Sequence, residues 1–186
     1  MNDKLLTLPA LRERADALRA HGGRLVLTNG CFDLLHVGHV RFLQAARCLG
    51  DFLAVGLNSD ASTRGLKGPE RPLVPASERA EVLGALACID AVVLFDAPTA
   101  EALVAALRPD VYVKGDDYTE ATLPEAHVVR GYGGSVTLLP TLPGVTTTAL
   151  IARIRAATPT TSRQREGASA PDVLPVRPIP GGRPVL

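Results

Sequence analysis

Thr28-Asn29-Gly30-Cys31-Phe32-Asp33-Leu34-Leu35-His36-Val37-Gly38-His39 decides the reading of this chain. A short apolar run, Arg24 to Leu27, leads into it, and Asn29-Gly30 breaks that run. From Val40 onward the apolar positions fall at helical spacing: Val40, Leu43 and Ala46 form one stripe, with Phe42 and Leu49 beside it. The segment is therefore a strand-to-helix turn with two histidines at the helix start. Unpaired N–H groups and the positive end of the helix dipole point out of such a start, which makes it an anion site before any side chain is counted.

Working outward, Leu11, Ala15 and Leu18 among charged neighbours predict a surface helix over residues 9–20, opening after Pro9, ending near Gly22-Gly23 and packing on the domain edge. Phe52 to Leu57 reads as a strand buried on both faces of a parallel sheet, closed by Asn58-Ser59-Asp60. Thr63 to Pro75 carries Arg64, Lys67 and Arg71 among Gly and Pro and is expected to be a basic loop with little regular structure. A helix over 77–87 follows, with Ser77 as N-cap and Val82, Leu83 and Leu86 apolar. Ala91 to Phe95, Val111 to Val113 and Ser135 to Leu139 read as strands; 99–107, 124–130 and 146–155 read as helices. Lys114-Gly115-Asp116-Asp117-Tyr118 is a charged turn at a strand's carboxyl end, where open parallel sheets bind ligands.

This alternation predicts an α/β fold: a Rossmann-like, doubly wound, five-stranded parallel sheet with helices on both faces. The 186 residues, 46% of them hydrophobic, suffice for one core, so residues 1–157 form one domain. Residues 158–186 hold six of the 15 prolines beside Gly, Ser, Thr and Arg, and are expected to be a disordered or loosely docked tail. Six Arg against Glu166 and Asp172 give residues 151–186 a net charge of +4, leaving −3 for residues 1–150, which disfavours a nucleic-acid partner. Cys31, Cys48 and Cys88 are odd in number and lack a CxxC pair, pointing away from a disulfide framework or cysteine zinc site and toward a reducing cytoplasm. No uncharged apolar run of about 18 residues exists, so membrane spanning and secretion are not expected.

Neither GxxxxGK[ST] nor GxGxxG occurs, so a phosphate would be held another way. His36-Val37-Gly38-His39 offers one: Gly38 lets a phosphate approach the backbone, and both imidazoles donate to oxygens as charge builds on phosphorus. An equally open reading has one histidine capping the helix and the other on the surface. Zinc is disfavoured, because no HExxH or further Cys/His cluster accompanies the pair.

Thr28 to His39, with Gly-x-Phe-Asp and His-x-Gly-His, resembles the signature of the cytidylyltransferase-like nucleotidyltransferases, and Thr146-Thr147-Thr148 is similar to their second signature, usually Ser-Thr-Thr. Within that superfamily, Asn29 to Asp33, Asn58-Ser59-Asp60, Lys67-Gly68-Pro69 with Arg71-Pro72, Lys114 to Tyr118 and the Pro143-Gly144 turn most resemble the heptose 1-phosphate adenylyltransferases of ADP-heptose synthesis, over residues 5–155. The resemblance implies transfer of AMP from ATP to a sugar 1-phosphate with release of pyrophosphate and no covalent intermediate. It implies catalytic roles for His36, His39 and Lys67, and nucleotide contacts from Thr28, Asn29, Gly30, Cys31, Phe32, Gly38, Lys114, Gly115, Thr146, Thr147 and Thr148. Asp33, Arg71, Arg79 and Asp116 would be substrate contacts, although Asp33 and Asp116 read equally as structural caps and Arg79 as a solvated helix face. Mg²⁺ would arrive on the nucleotide rather than at a protein metal site, and a homodimer is expected.

Three departures from the family pattern bear on the substrates. Relatives that make CDP-glycerol carry Arg where this chain has Thr141 and Ala87, which argues against cytidylyl transfer; the heptose enzymes usually have Gly where this chain has Asp116, as the glycerol phosphate enzymes do. Many heptose enzymes are fused to a sugar kinase, so a separate kinase is expected to supply the substrate. The alternatives are a glycerol 3-phosphate cytidylyltransferase and a catalytically silent nucleotide-binding regulator.

Overall fold

Each strand in the computed structural model, which describes residues 3–157, is joined to the next through a helix. The predicted tail, 158–186, lies outside the described residues. The strands β1 (Leu25–Gly30), β2 (Phe52–Asn58), β3 (Ala91–Phe95), β4 (Val111–Gly115) and β5 (Ser135–Leu139) form one parallel sheet in the order β3-β2-β1-β4-β5. This is the doubly wound α/β architecture expected. The chain leaves β1 toward β2 and β3, then returns to place β4 on the other side of β1. The reversal lies at the carboxyl ends of β1 and β4, where doubly wound sheets bind ligands.

Alternation along the strands divides the core in two. Leu25 and Leu27 face a layer of α1 (Leu8–Ala20), α5 (Glu101–Leu107) and α6 (Ala126–Gly131), built on Leu11, Leu103, Val104, Leu107 and Val129. Val26 faces the other layer, where α2 (Val37–Arg47) and α4 (Ala76–Gly84) supply Leu43, Ala46, Ala80 and Leu83. Each such fully buried leucine contributes about 1.5–3 kcal/mol relative to exposure. Helix α1 is thus integral to one layer rather than an edge helix. Ahead of it, Leu6 N–H bonds the Val92 carbonyl and Val92 N–H the Lys4 carbonyl, so residues 4–6 cover the outer edge of β3.

At the strand starts, aspartates pin register. Asp110 Oδ2 accepts Leu25 N–H and Asp90 Oδ2 accepts Leu53 N–H, both at 2.8 Å, and Asp51 Oδ2 accepts Arg24 N–H at 2.8 Å.

The expected basic loop is helical in its first part. Residues Asp60–Lys67 form α3, because Ser59 Oγ caps the Ser62 N–H at 3.1 Å and Thr63 is buried against the sheet. The helix stops at Gly68, whose φ of 97° only glycine adopts without strain; residues 68–75 remain a loop. Ser77 is not the cap of α4: the helix opens at Ala76 behind Pro75, whose φ of −56° suits a helix start without a side-chain bond.

Candidate active site

The carboxyl end of β1 turns sharply at Phe32, which has a left-handed φ of 44°. The turn folds the Phe32 ring back over Gly30, where a Cβ would lie 3.1 Å from the ring edge. The chain then enters α2 with His36 as N-cap, its Nδ1 accepting the His39 N–H at 3.3 Å. A neutral His36 therefore carries its proton on Nε2. The two imidazoles stack at 3.8 Å between centroids and 17° between planes, with Phe32 tilted against His39 at 5.3 Å.

Burial lowers both rings from the ordinary histidine value, and for His39 burial together with the His36 charge pushes it down to about 4. Near neutral pH the pair donates hydrogen bonds without carrying charge. His39 Nδ1 is buried and has no partner among the described residues, so anything bound to this ring is reached through Nε2. The two open readings thus combine: His36 does cap α2, while His39 is mostly enclosed rather than a surface residue. Gly38 has a packing reason to lack a side chain. A Cβ there would lie 3.0 Å from the His36 ring and 3.4 Å from Val145, so its missing side chain makes room for the imidazole.

Asp33, 5% exposed, is a clamp: its carboxylate accepts Arg71 Nε at 2.5 Å and the N–H groups of Leu73 and Val74 at 2.8 and 2.9 Å. Burial pushes its carboxyl up, but those three donors outweigh burial and hold it below the usual carboxylate range. Loop 68–75 is thereby tied to the signature turn, and Arg71 keeps its terminal nitrogens free of partners among the described residues. Arg79 is not on a solvated face. It is 1% exposed and donates to the carbonyls of Val74, Cys31 and Asn58 and to Asp60, so it braces the turn from beneath. Lys67, exposed at the end of α3, is near enough for its charge to lower the Lys114 ammonium.

On the β4 side, Lys114 Nζ lies 3.3 Å from Asn29 Oδ1 and 4.7 Å from the Tyr118 ring centroid. Gly115 is hemmed in by Asp117 and Thr141. Asp116 is exposed, and its Oδ1 accepts both the N–H and the hydroxyl of Thr141, at 3.0 and 2.8 Å, so two of the departures form one contact. At α7 (Thr147–Ala157), Thr146 Oγ1 caps the Ala149 N–H at 3.0 Å and Thr147 Oγ1 donates to the Leu34 carbonyl at 3.3 Å, drawing the second helix start to the first signature; Thr148 is exposed. Thr28 is buried, its hydroxyl unpartnered among the described residues. Sequence reasoning missed Tyr112 and Glu125, both buried behind Asn29. A phenol inside an otherwise aliphatic buried strand was the available signal.

Among the described residues no group of three or more His, Cys, Asp or Glu is placed to hold a metal, and no helix is long and apolar enough to cross a membrane.

A family model described as cytidylyltransferase-like matches residues 27–152. The chain belongs to the cytidylyltransferase-like family. As a cytidylyltransferase-like nucleotidyltransferase it is 52% identical over 153 residues to the bifunctional protein HldE of Syntrophotalea carbinolica, covering 82% of this chain and 31% of that one. It is 56% identical over 139 residues to the bifunctional protein HldE of Streptomyces coelicolor, covering 75% and 30%. The chain thus spans less than a third of these relatives. Among solved structures, the lipopolysaccharide core biosynthesis protein of Thermoplasma volcanium superposes with a TM-score of 0.55 at 26% identity, over 65% of this chain and 98% of that one. Pantothenate synthetase of Thermus thermophilus, at 17% identity and a TM-score of 0.53, shares the cytidylyltransferase-like fold alone.

Proposed function

We propose that the chain transfers AMP from MgATP to a sugar 1-phosphate, heptose 1-phosphate foremost, giving ADP-heptose and pyrophosphate. The observation that carries the reading is the stacked His36–His39 pair at the start of α2, with His39 held uncharged by its burial; Lys114 stands at the carboxyl end of the neighbouring β4. A phosphate oxygen of the sugar forms a bond to the α-phosphorus of ATP while the bond from that phosphorus to the β-phosphate bridging oxygen breaks; its electron pair leaves with pyrophosphate. The chain supplies no nucleophile. It holds phosphate oxygens through imidazole N–H, helix N–H and ammonium donors as charge builds on phosphorus. These donors suit anionic oxygen rather than a metal, and Asp33 is occupied by Arg71 and two backbone N–H groups. Mg²⁺ belongs to the nucleotide substrate.

The choice of sugar rests on the motif resemblance and on identity near one half to the HldE proteins. Asp116 favours a second reading, cytidylyl transfer to glycerol 3-phosphate, but its carboxylate faces Thr141, where the CDP-glycerol enzymes have Arg. A matrix of four nucleoside triphosphates against heptose 1-phosphate, other sugar 1-phosphates and glycerol 3-phosphate, read by pyrophosphate release, tests the assignment. ATP with heptose 1-phosphate is expected to be fastest. Preference for CTP, or for glycerol 3-phosphate over every sugar phosphate, overturns it; ATP binding with no turnover in any well supports the silent regulator.

A further inference from the structure

At the carboxyl ends of β1 and β4, polar side chains line up from the core to the site. Glu125, 3% exposed just ahead of α6, accepts the Ala100 N–H on Oε1 at 2.7 Å. Tyr112 is fully buried in β4, which pushes its phenol up, and the charge of Glu125 lies near enough to that hydroxyl to add to the effect. The phenol oxygen lies 2.5 Å from Asn29 Oδ1, and Lys114 Nζ lies 3.3 Å from the same atom and 3.5 Å from the Asn29 carbonyl. An ammonium has donors only, so the Asn29 atom facing it must be the oxygen, which settles how the amide is turned. The amide Nδ2 has no partner among the described residues and is not enclosed, since Asn29 is half-buried at the carboxyl end of its strand.

We propose that Tyr112 and Glu125 are positioning residues that hold Asn29 and Lys114 so that the Asn29 Nδ2 amide and the Lys114 ammonium bind phosphate oxygens of the nucleotide together. The inference rests on the nucleotidyl-transfer reading for its ligand. Glu125 has a structural task in accepting the buried Ala100 N–H, but the Tyr112 hydroxyl does nothing for this core that phenylalanine could not do without its need for a partner, and a polar line left half satisfied costs more than an apolar one. What the hydroxyl adds is direction: a carbonyl held from behind by Tyr112 and Lys114 cannot rotate its amide away from the site.

Charge works in the same sense. Burial lowers the Lys114 ammonium from the ordinary lysine value, Lys67 on α3 adds to that, and Glu125, Asp117 and Cys31 act against it; the Tyr118 ring packs on the remaining side. Glu125 thus helps keep Lys114 protonated.

ATP binding to the full chain, measured by calorimetry from neutral to alkaline pH, tests this for the wild type, Tyr112→Phe, Glu125→Gln, Asn29→Ala and the Asn29→Ala/Tyr112→Phe double variant. Tyr112→Phe is expected to weaken ATP binding about fivefold, the scale of one hydrogen bond, and to change it less than twofold when Asn29 is already alanine. Glu125→Gln is expected to move the alkaline loss of ATP affinity to lower pH, since Lys114 loses a neighbouring negative charge. Equal losses from Tyr112→Phe in both backgrounds, or a Glu125→Gln variant that melts earlier with its alkaline limb unmoved, overturn the inference. If Tyr112→Phe does not fold, the Glu125→Gln profile decides. A wild type that binds ATP but transfers to no acceptor refutes the proposed reaction and leaves this test standing; a wild type that does not bind ATP overturns both.

Discussion

Acid should destabilise this protein through His39, and the size of the effect follows from how that ring is enclosed. Burial beside His36 pushes the ring down to about 4, whereas in the unfolded chain it titrates near the ordinary value of 6.5. Between those two values the unfolded state binds a proton that the folded state refuses, so stability contributed by this site is intact above pH 6.5 and declines as pH falls toward 4. By about pH 5 the loss from His39 alone is roughly 2 kcal/mol. Many carboxylates also titrate there, so the measurement is a difference. Urea unfolding at about pH 7.5 and about pH 5 is compared for the wild type and His39→Gln, a variant that cannot protonate in this range. His39→Gln should lose roughly 2 kcal/mol less than the wild type on acidification, whatever its stability at the higher pH. NMR titration of the folded imidazoles gives the independent check. A His39 resonance that titrates near 6.5, or equal acid losses in the two proteins, would refute the reasoning.

Other expectations follow from single contacts. His36→Ala removes both a ring donor and the α2 cap, and should cut kcat by about 10²-fold in the pyrophosphate assay with a stability loss of only about 1 kcal/mol by urea unfolding. Gly38→Ala places a Cβ 3.0 Å from the His36 ring, so it should displace that ring and lower kcat about tenfold, an effect that His36→Ala masks in the double variant. Asp33→Ala leaves Arg71 Nε and two loop N–H groups without their acceptor and should cost about 3 kcal/mol, with earlier proteolytic cleavage inside loop 68–75 as the local readout. Arg79→Lys cannot reach four acceptors from one ammonium and should destabilise by about 3 kcal/mol in urea unfolding.

The parallel sheet was legible because runs such as Phe52 to Leu57 are apolar on both faces, whereas the strand order β3-β2-β1-β4-β5 depends on pairings between distant segments that no local pattern names. Helix α3 was not, since Asp-Ala-Ser-Thr-Arg-Gly-Leu-Lys has poor intrinsic propensity and forms under the Ser59 cap and burial of Ser62 and Thr63. The Ser59 cap was visible, but it reads equally as a strand-closing turn. Arg79 shares a stripe with Leu83 and Leu86, a burial signal that its reading as a solvated face passed over, whereas Val82, counted with the apolar face, is 51% exposed. The position of the two histidines at a helix start was legible. Their stacking, and the room Gly38 leaves for His36, depend on side-chain packing that spacing does not encode.

The bond from Leu25 N–H to Asp110, at the bottom of the sheet, has a bearing on the site at its top. Four residue steps along β1 lead from Leu25 to Asn29, roughly 13 Å of extended chain. Along that length the ladder acts as a ruler: with Val26 opposite Val111 and Thr28 opposite Val113, Asn29 arrives beside Lys114. A slip of one step would bring Thr28 or Gly30 there instead and turn every side chain of β1 to the opposite face. The placement of Asn29 beside Lys114 is therefore tied to the Asp110 carboxylate at the far end of the strand.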